Sequence, residues 1–211
     1  MPRPPLVPNA KPRRDDILDH ATRLFAERGY EGTSMGDLAE RVGMRKASLF
    51  YHFASKDILY AAVLDRLVIA VGTVIATHAA REGSFAERLD DLSEALTKTL
   101  GEQPFAARLL IREAMDFGPV IRETLGDHIQ LVLTAAEQFL RAGQKAGVFV
   151  ELDAKHFIVS LIGIHFMPFG IAHVVARFIG TDPFEPAFID ARRIAVRDQV
   201  RWLVLAKRAK K

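Results

Sequence analysis

Arg41, Arg45, Lys46 and Lys56 lie in a stretch, residues 41–56, that contains no Asp or Glu. One chemistry suits such a run. Each phosphate neutralised by Lys or Arg releases condensed counterions, and that release supplies most of the sequence-independent affinity for nucleic acid. A carboxylate among these cations would be repelled. Two more segments are free of acids: residues 1–14, with Arg3, Lys11, Arg13 and Arg14, and residues 207–211, with Lys207, Arg208, Lys210 and Lys211. Twelve of the 29 basic residues sit in the three segments, so the rest of this 211-residue chain carries a net charge of −9 although the whole is +3. The body is acidic and the positive charge is segregated.

Other chemistries find little support. With no cysteine, zinc–thiolate sites, disulfide scaffolds and thiol redox sensing are excluded. There is no nucleophile elbow, paired-carboxylate arrangement or phosphate loop. His165 and His173 stand about 80° apart around a helix, too far round for a metal-binding pair. An enzyme acting on a small apolar substrate is therefore not expected, and neither is a metal or other cofactor.

The elements that must position the cations are helical. Ile17, Leu18, Ala21, Leu24 and Phe25 recur on one helical face, and Gly29 ends that run. Ser34 precedes Asp37 by three residues, a capping-box spacing that opens a second helix. Gly43 stops it after Val42. A third short helix runs from Met44 or Arg45 to Tyr51, and Ser55 caps a long fourth over residues 56–79. A helix, a short turn containing glycine and a second helix form the helix-turn-helix pattern, whose second helix enters the DNA major groove. Further helices are expected over residues 85–100, 104–117, 119–146, 153–179 and 186–207, making about nine and an all-α fold. The apolar stretch at residues 157–175 reaches membrane-spanning length. Its Ser160, His165, Pro168 and His173 favour a buried bundle helix, so no membrane association is expected. The proline-rich, polar start carries no secretory signal pattern, and a cytoplasmic protein is expected.

The segment ILDHATRLFAERGYEGTSMGDLAERVGMRKASLFYHFASKDILYAAVLD resembles the DNA-binding domain of TetR-family transcriptional regulators over roughly residues 13–65. LFAERGY, Thr33-Ser34, Leu38 to Glu40, Val42-Gly43 and above all Phe50 to Lys56 carry the resemblance. It implies residues 1–60 as an N-terminal arm and three-helix helix-turn-helix domain, and residues 61–211 as a helical ligand-binding and dimerisation bundle, joined by the long helix. By position it assigns phosphate contacts to Thr33, Ser34, Tyr51, His52 and Lys56, and the tip of the recognition helix to Arg45, Lys46, Ala47 and Ser48. The chemistry agrees, since hydroxyl, imidazole and ammonium donors suit phosphates and Arg is the usual bidentate partner of guanine. Phe50 is expected to pack inward beside Phe53. Arg45 stands where the family commonly has a small Ser or Thr, and Ala47 where Gly is common, so operator preference does not carry over from relatives. Arg13 and Arg14 are candidates for a minor-groove arm.

The resemblance further implies a ligand-responsive regulator, most often a repressor, that binds a double-stranded, palindromic DNA operator as a homodimer and is released by a small, mainly apolar effector. The last two helices would form the dimer interface, with Gly163 and Gly170 on one face for close approach. For the effector pocket, Phe105, Leu109, Met115, Phe117, Phe139, Phe166, Met167 and Phe169 offer an apolar lining, with His165 and His173 as polar handles. Pro168 should kink its helix and free a carbonyl near His165. Two other readings fit the helical pattern: a helical small-molecule-binding protein that does not read DNA, and an activator of the same fold.

Overall fold

The computed structural model describes residues 13–116 and 125–205. Among them lie ten helices and no strand, the single bridge being Phe149 with Leu205. The helices are α1 (Arg14–Arg28), α2 (Met35–Val42), α3 (Lys46–His52), α4 (Lys56–Ala80), α5 (Phe85–Gly101), α6 (Ala106–Asp116), α7 (Gly126–Lys145), α8 (Ala154–Gly170), α9 (Ala172–Ile179) and α10 (Pro186–Val204). Two compact units divide within α4: Met1–Val63 and Leu64–Lys211.

In the first unit the apolar face of α1 is fully used, with Ile17, Leu18, Ala21, Leu24 and Phe25 all buried. Leu38 and Ala39 of α2, Leu49 of α3, and Phe53, Leu59, Tyr60 and Val63 are buried as well, and Phe25 meets the Tyr60 ring edge-on. The helix starts are capped as the spacing predicts. The Asp37 N–H donates to Ser34 Oγ at 3.1 Å while the Ser34 N–H donates back to Asp37 Oδ2 at 2.9 Å. At the start of α4 the Ile58 N–H donates to Ser55 Oγ at 3.2 Å. The turn between α2 and α3 depends on Gly43, which sits at φ 74°, ψ 34°, with nothing within 4 Å of where a Cβ would be. Backbone conformation, not space, requires glycine there.

Helix α4 is long and apolar enough to cross a membrane by length and composition. Its apolarity has a packing cause: Leu59, Tyr60 and Val63 are buried in the first unit, and Leu64, Leu67, Val68 and Ile75 in the second.

In the second unit α5 and α10 are joined by an ion-pair ladder. Glu94 accepts from Arg193 Nη2 at 2.9 Å and from Arg197 Nη1 at 2.8 Å, and one turn away Asp90 accepts from Arg201 Nη1 at 2.6 Å. One apolar cluster gathers Phe139, Leu140, Phe149, Ile158, Val196 and Val200; a second joins Leu96, Leu100, Ala107, Phe169 and Ile189.

The helix expected over residues 153–179 is two helices, which raises the expected nine to ten. α8 and α9 are bent by 78°, and the break falls at Gly170-Ile171, three residues beyond Pro168. Pro168 stays inside α8, but it has no N–H to give to the carbonyl four residues back, that of Ile164. Arg192 of α10 takes that place, donating from Nη2 to Ile164 O at 3.0 Å. The bend comes where the packing is tight: a Cβ on Gly170 would lie 2.2 Å from Cδ1 of Ile111. Gly170 is thus consumed by a contact inside the chain, whereas a Cβ on Gly163 would meet nothing within 4 Å.

These contacts predict a compensating pair. Arg192→Met should cost about 1–3 kcal/mol, the penalty of leaving a part-buried carbonyl unpaired. In a Pro168→Ala background, where the new N–H restores the helical bond to Ile164, the same change should cost less than half as much. Urea melts of the four proteins check this, and additive costs would contradict it.

Candidate nucleic-acid interface and ligand cavity

The helix-turn-helix core holds α3 by one buried side chain per turn. Leu49 and the C-capping Phe53 point inward, and Arg45, Lys46, Ala47, Ser48, Tyr51 and His52 are all exposed. Phe50 differs from its expected inward place. It is 40% exposed with the Lys46 ammonium 5.9 Å from its ring, because the short helix turns only Leu49 toward the core. Tyr51 is 89% exposed and leans edge-on against the His52 ring. Arg45 is the N-cap of α3, and its guanidinium has no hydrogen bond or ion pair among the described residues. The face so formed carries donors and cations and no carboxylate.

The remaining positions are more constrained. Thr33 is 1% exposed and its hydroxyl donates to Gly29 O at 2.9 Å, so the side chain closes the turn after α1. Ser34 is exposed but engaged in the α2 cap, where its hydroxyl donates to Asp37 Oδ2 at 2.6 Å. These bonds hold the Asp37 carboxyl below its ordinary pKa. Lys56 donates to Tyr30 O at 3.0 Å with its ammonium 4.0 Å from the Tyr30 ring. The Tyr30 hydroxyl donates to Asp57, and burial together with that carboxylate pushes its pKa up to about 12. Lys56 thereby ties the α1–α2 turn to the start of α4, with two further N–H donors on its ammonium. Arg14 lies within α1 with its guanidinium 4.9 Å from the Phe53 ring; Arg3 and Lys11 lie outside the described residues, as do residues 206–211.

In the second unit a cavity of about 260 Å³ opens among α4, α5, α6, α7, α8 and α10. Its walls are mostly aliphatic, including Val71, Leu110, Ile129, Val132, Ala136 and Leu161, and its polar lining among the described residues is Ser93, Glu113 and His165. His165 is 3% exposed and its Nδ1 is 3.1 Å from Thr97 Oγ1. The Thr97 hydroxyl also lies 2.9 Å from Ser93 O; with its proton directed there, Nδ1 carries the imidazole hydrogen and donates it to Thr97. Burial, and then the Arg192 charge, lower the His165 pKa to about 4, so the ring is neutral near pH 7. Burial also pulls Arg192 below its ordinary value.

Of the side chains expected around an effector, the cavity brings together His165 and Phe166. Phe105, Phe169 and His173 line a separate cleft of about 600 Å³ at the α8–α9 bend. Leu109 is fully buried. Phe139 packs in the core, tilted against Phe85 and edge-on to Phe149. Met115 is 80% exposed and Met167 partly so. Phe117 lies outside the described residues. Ser93 was not singled out from the sequence, although a signal was present: it occupies a core position in the α5 series Leu89, Ser93, Leu96, Leu100.

Residues 17–63 match the family described as bacterial regulatory proteins, tetR family, and residues 86–200 match the Tetracyclin repressor-like C-terminal domain. The biofilm operon icaADBC HTH-type negative transcriptional regulator IcaR of Staphylococcus aureus (strain Newman) is 51% identical over 47 residues, 22% of this chain and 25% of IcaR. The chain thus spans about a quarter of the length of the curated relatives it matches. Among solved structures, the ketosteroid transcriptional regulator KstR2 of Mycobacterium tuberculosis superposes with a TM-score of 0.76 at 19% identity, covering 94% of this chain and 98% of KstR2. AibR, in complex with isovaleryl coenzyme A and operator DNA, gives 0.70 at 18% identity, covering 88% of this chain and 96% of AibR. At these identities the likeness is one of fold. The C-terminal match alone takes in more than half of the chain, and with the N-terminal match it establishes that this protein belongs to the TetR family of regulatory proteins.

Proposed function

We propose that the protein is a homodimeric, ligand-responsive transcriptional repressor, with residues 1–60 reading a palindromic operator and residues 61–211 binding a small, mainly apolar effector and dimerising. The observation that carries this reading is the exposed, acid-free face of α3, with Arg45 unpaired among the described residues and Tyr51 almost fully solvent-accessible. Arg45, Lys46, Ala47 and Ser48 are the base-proximal set. Ser34, Tyr51, His52 and Lys56 donate to phosphates, and Thr33 contributes through its backbone and by fixing the turn. IcaR, described as a negative regulator, supports repression over activation, and AibR was captured with both operator DNA and a small molecule. Acting on the chromosome, the protein works in the cytoplasm.

Dimerisation is supported by an apolar surface on the last helices. Val159 and Met167 of α8 and Ile194 and Trp202 of α10 are exposed, and Gly163 offers an open backbone beside them. An effector would act through its different affinities for the DNA-competent and released arrangements, a coupling of about 1–3 kcal/mol carried along α4.

Fluorescence anisotropy with the DNA upstream of the protein's own gene tests the reading. About six neutralised phosphates should make affinity fall by roughly 10³ between 50 and 200 mM salt. No saturable binding, or a salt-independent constant, would sink it.

A further inference from the structure

We infer that the cavity of the second unit selects an uncharged aliphatic alcohol, whose hydroxyl docks between Ser93 Oγ and the Nε2 edge of His165. This rests on the reading of the cavity as the effector site.

Among the described residues, the cavity of about 260 Å³ is apolar except at Ser93, His165 and, on α6, Glu113. Ser93 lines it, is 3% exposed, and its Oγ has no hydrogen-bond partner. A buried hydroxyl left unpaired costs free energy that a ligand can recover. His165, also 3% exposed, turns Nδ1 to Thr97, which is not part of the lining, so the Nε2 side of the ring is the side left for the cavity. With the hydrogen on Nδ1, Nε2 is an acceptor only. Ser93 and His165 therefore offer one free donor and one lone pair. An alcohol satisfies both, accepting from Ser93 Oγ–H and donating to His165 Nε2. A ketone of the same shape satisfies Ser93 alone.

Charged ligands fit less well. The described lining contains no Lys or Arg, so a carboxylate would meet no counter-charge among those residues and would face the Nε2 lone pair. An ammonium would be stripped of water in mostly aliphatic surroundings and, having no acceptor, would leave the Ser93 hydroxyl hydrogen unpaired. The aliphatic walls suit a saturated chain or ring rather than a stacked aromatic, since Phe166 is the one aromatic among them.

The test uses four probes of one chain length on the full protein at pH 7.5: 2-octanol, 2-octanone, octanoate and octylammonium, followed by calorimetry and thermal shift. 2-Octanol should bind most tightly, with 2-octanone about five- to tenfold weaker for want of the donated hydrogen bond. Octanoate and octylammonium should bind at least tenfold more weakly than 2-octanol. Ser93→Ala, a change of one oxygen, should weaken both 2-octanol and 2-octanone by about five- to tenfold. Equal binding of alcohol and ketone, either ion matching the alcohol, or an unchanged alcohol affinity in Ser93→Ala would overturn the assignment. If no probe binds, the cavity as effector site falls with it, whereas salt-dependent binding of the free protein to DNA is measured separately and survives.

Discussion

Replacing Arg45 and Tyr51 together by alanine should lower operator affinity by a factor on the order of 10³, with the dimer and the helix content unchanged. A guanidinium at a base edge contributes about 1–3 kcal/mol, and a two-fold dimer loses each contact twice. Both side chains are exposed and neither closes part of the core, whose α3 anchors are Leu49 and Phe53, so folding should not suffer. Anisotropy measures the affinity, and sedimentation velocity with circular dichroism the integrity. A loss under tenfold would remove α3 from the interface. Thr33→Val is the informative contrast. With its hydroxyl committed to Gly29 O, this change should cost about 1 kcal/mol of stability and leave DNA affinity within a few-fold.

Ile194→Glu combined with Trp202→Glu should convert the dimer to a monomer and reduce operator affinity by about 10² to 10⁴. Trp202 is 76% exposed, more than a large aromatic side chain gains from in a free monomer, and it follows Ile194 by two helical turns on the outer side of α10. Two carboxylates per protomer would have to be desolvated at a paired face, at a cost of several kcal/mol for each unpaired charge. The inward side of α10 keeps Val196, Val200 and its ladder to Asp90 and Glu94, so each protomer should stay folded. Sedimentation equilibrium reads the mass directly. A variant that stays dimeric would move the interface elsewhere.

The two units differ in how much of them could be read from residues alone. In the first, the local rules coincide. The α1 stripe from Ile17 to Phe25, the Ser34 cap and the glycine at position 43 each fix a short-range feature, and the acid-free run then falls on the helix that those features leave outside. Phe50 and Thr33 show the limit. Whether a phenylalanine or a threonine in a short helical unit faces in or out depends on a register of one residue, which the pattern of a seven-residue helix is too short to fix. The approaching elements decide it, giving Leu49 the inner place and binding the Thr33 hydroxyl to Gly29.

In the second unit the apolar residues expected around a pocket are dispersed. Phe166 lines the cavity and Phe105 and Phe169 a separate cleft, while Phe139 packs against Phe85 and Phe149, Leu109 has no exposure, and Met115 faces outward. Hydrophobic periodicity says which face of a helix is covered and is silent on where the covering helices leave a gap. Pro168 was legible as a disturbance, and His165 beside it as a polar group in an apolar helix. That the freed Ile164 carbonyl is taken by Arg192, and that the bend waits until Gly170, follow from what α10 and α6 bring to that point.

The sequence by itself determined the all-helical class, the helix-turn-helix at its N-terminal end, and the concentration of unopposed positive charge there, because capping, helical period and charge act over a few residues. Tertiary structure alone decided the cavity and its Ser93–His165 wall. Those arise where six helices distant in sequence meet, and a void or an orphaned hydroxyl is a property of all of them at once.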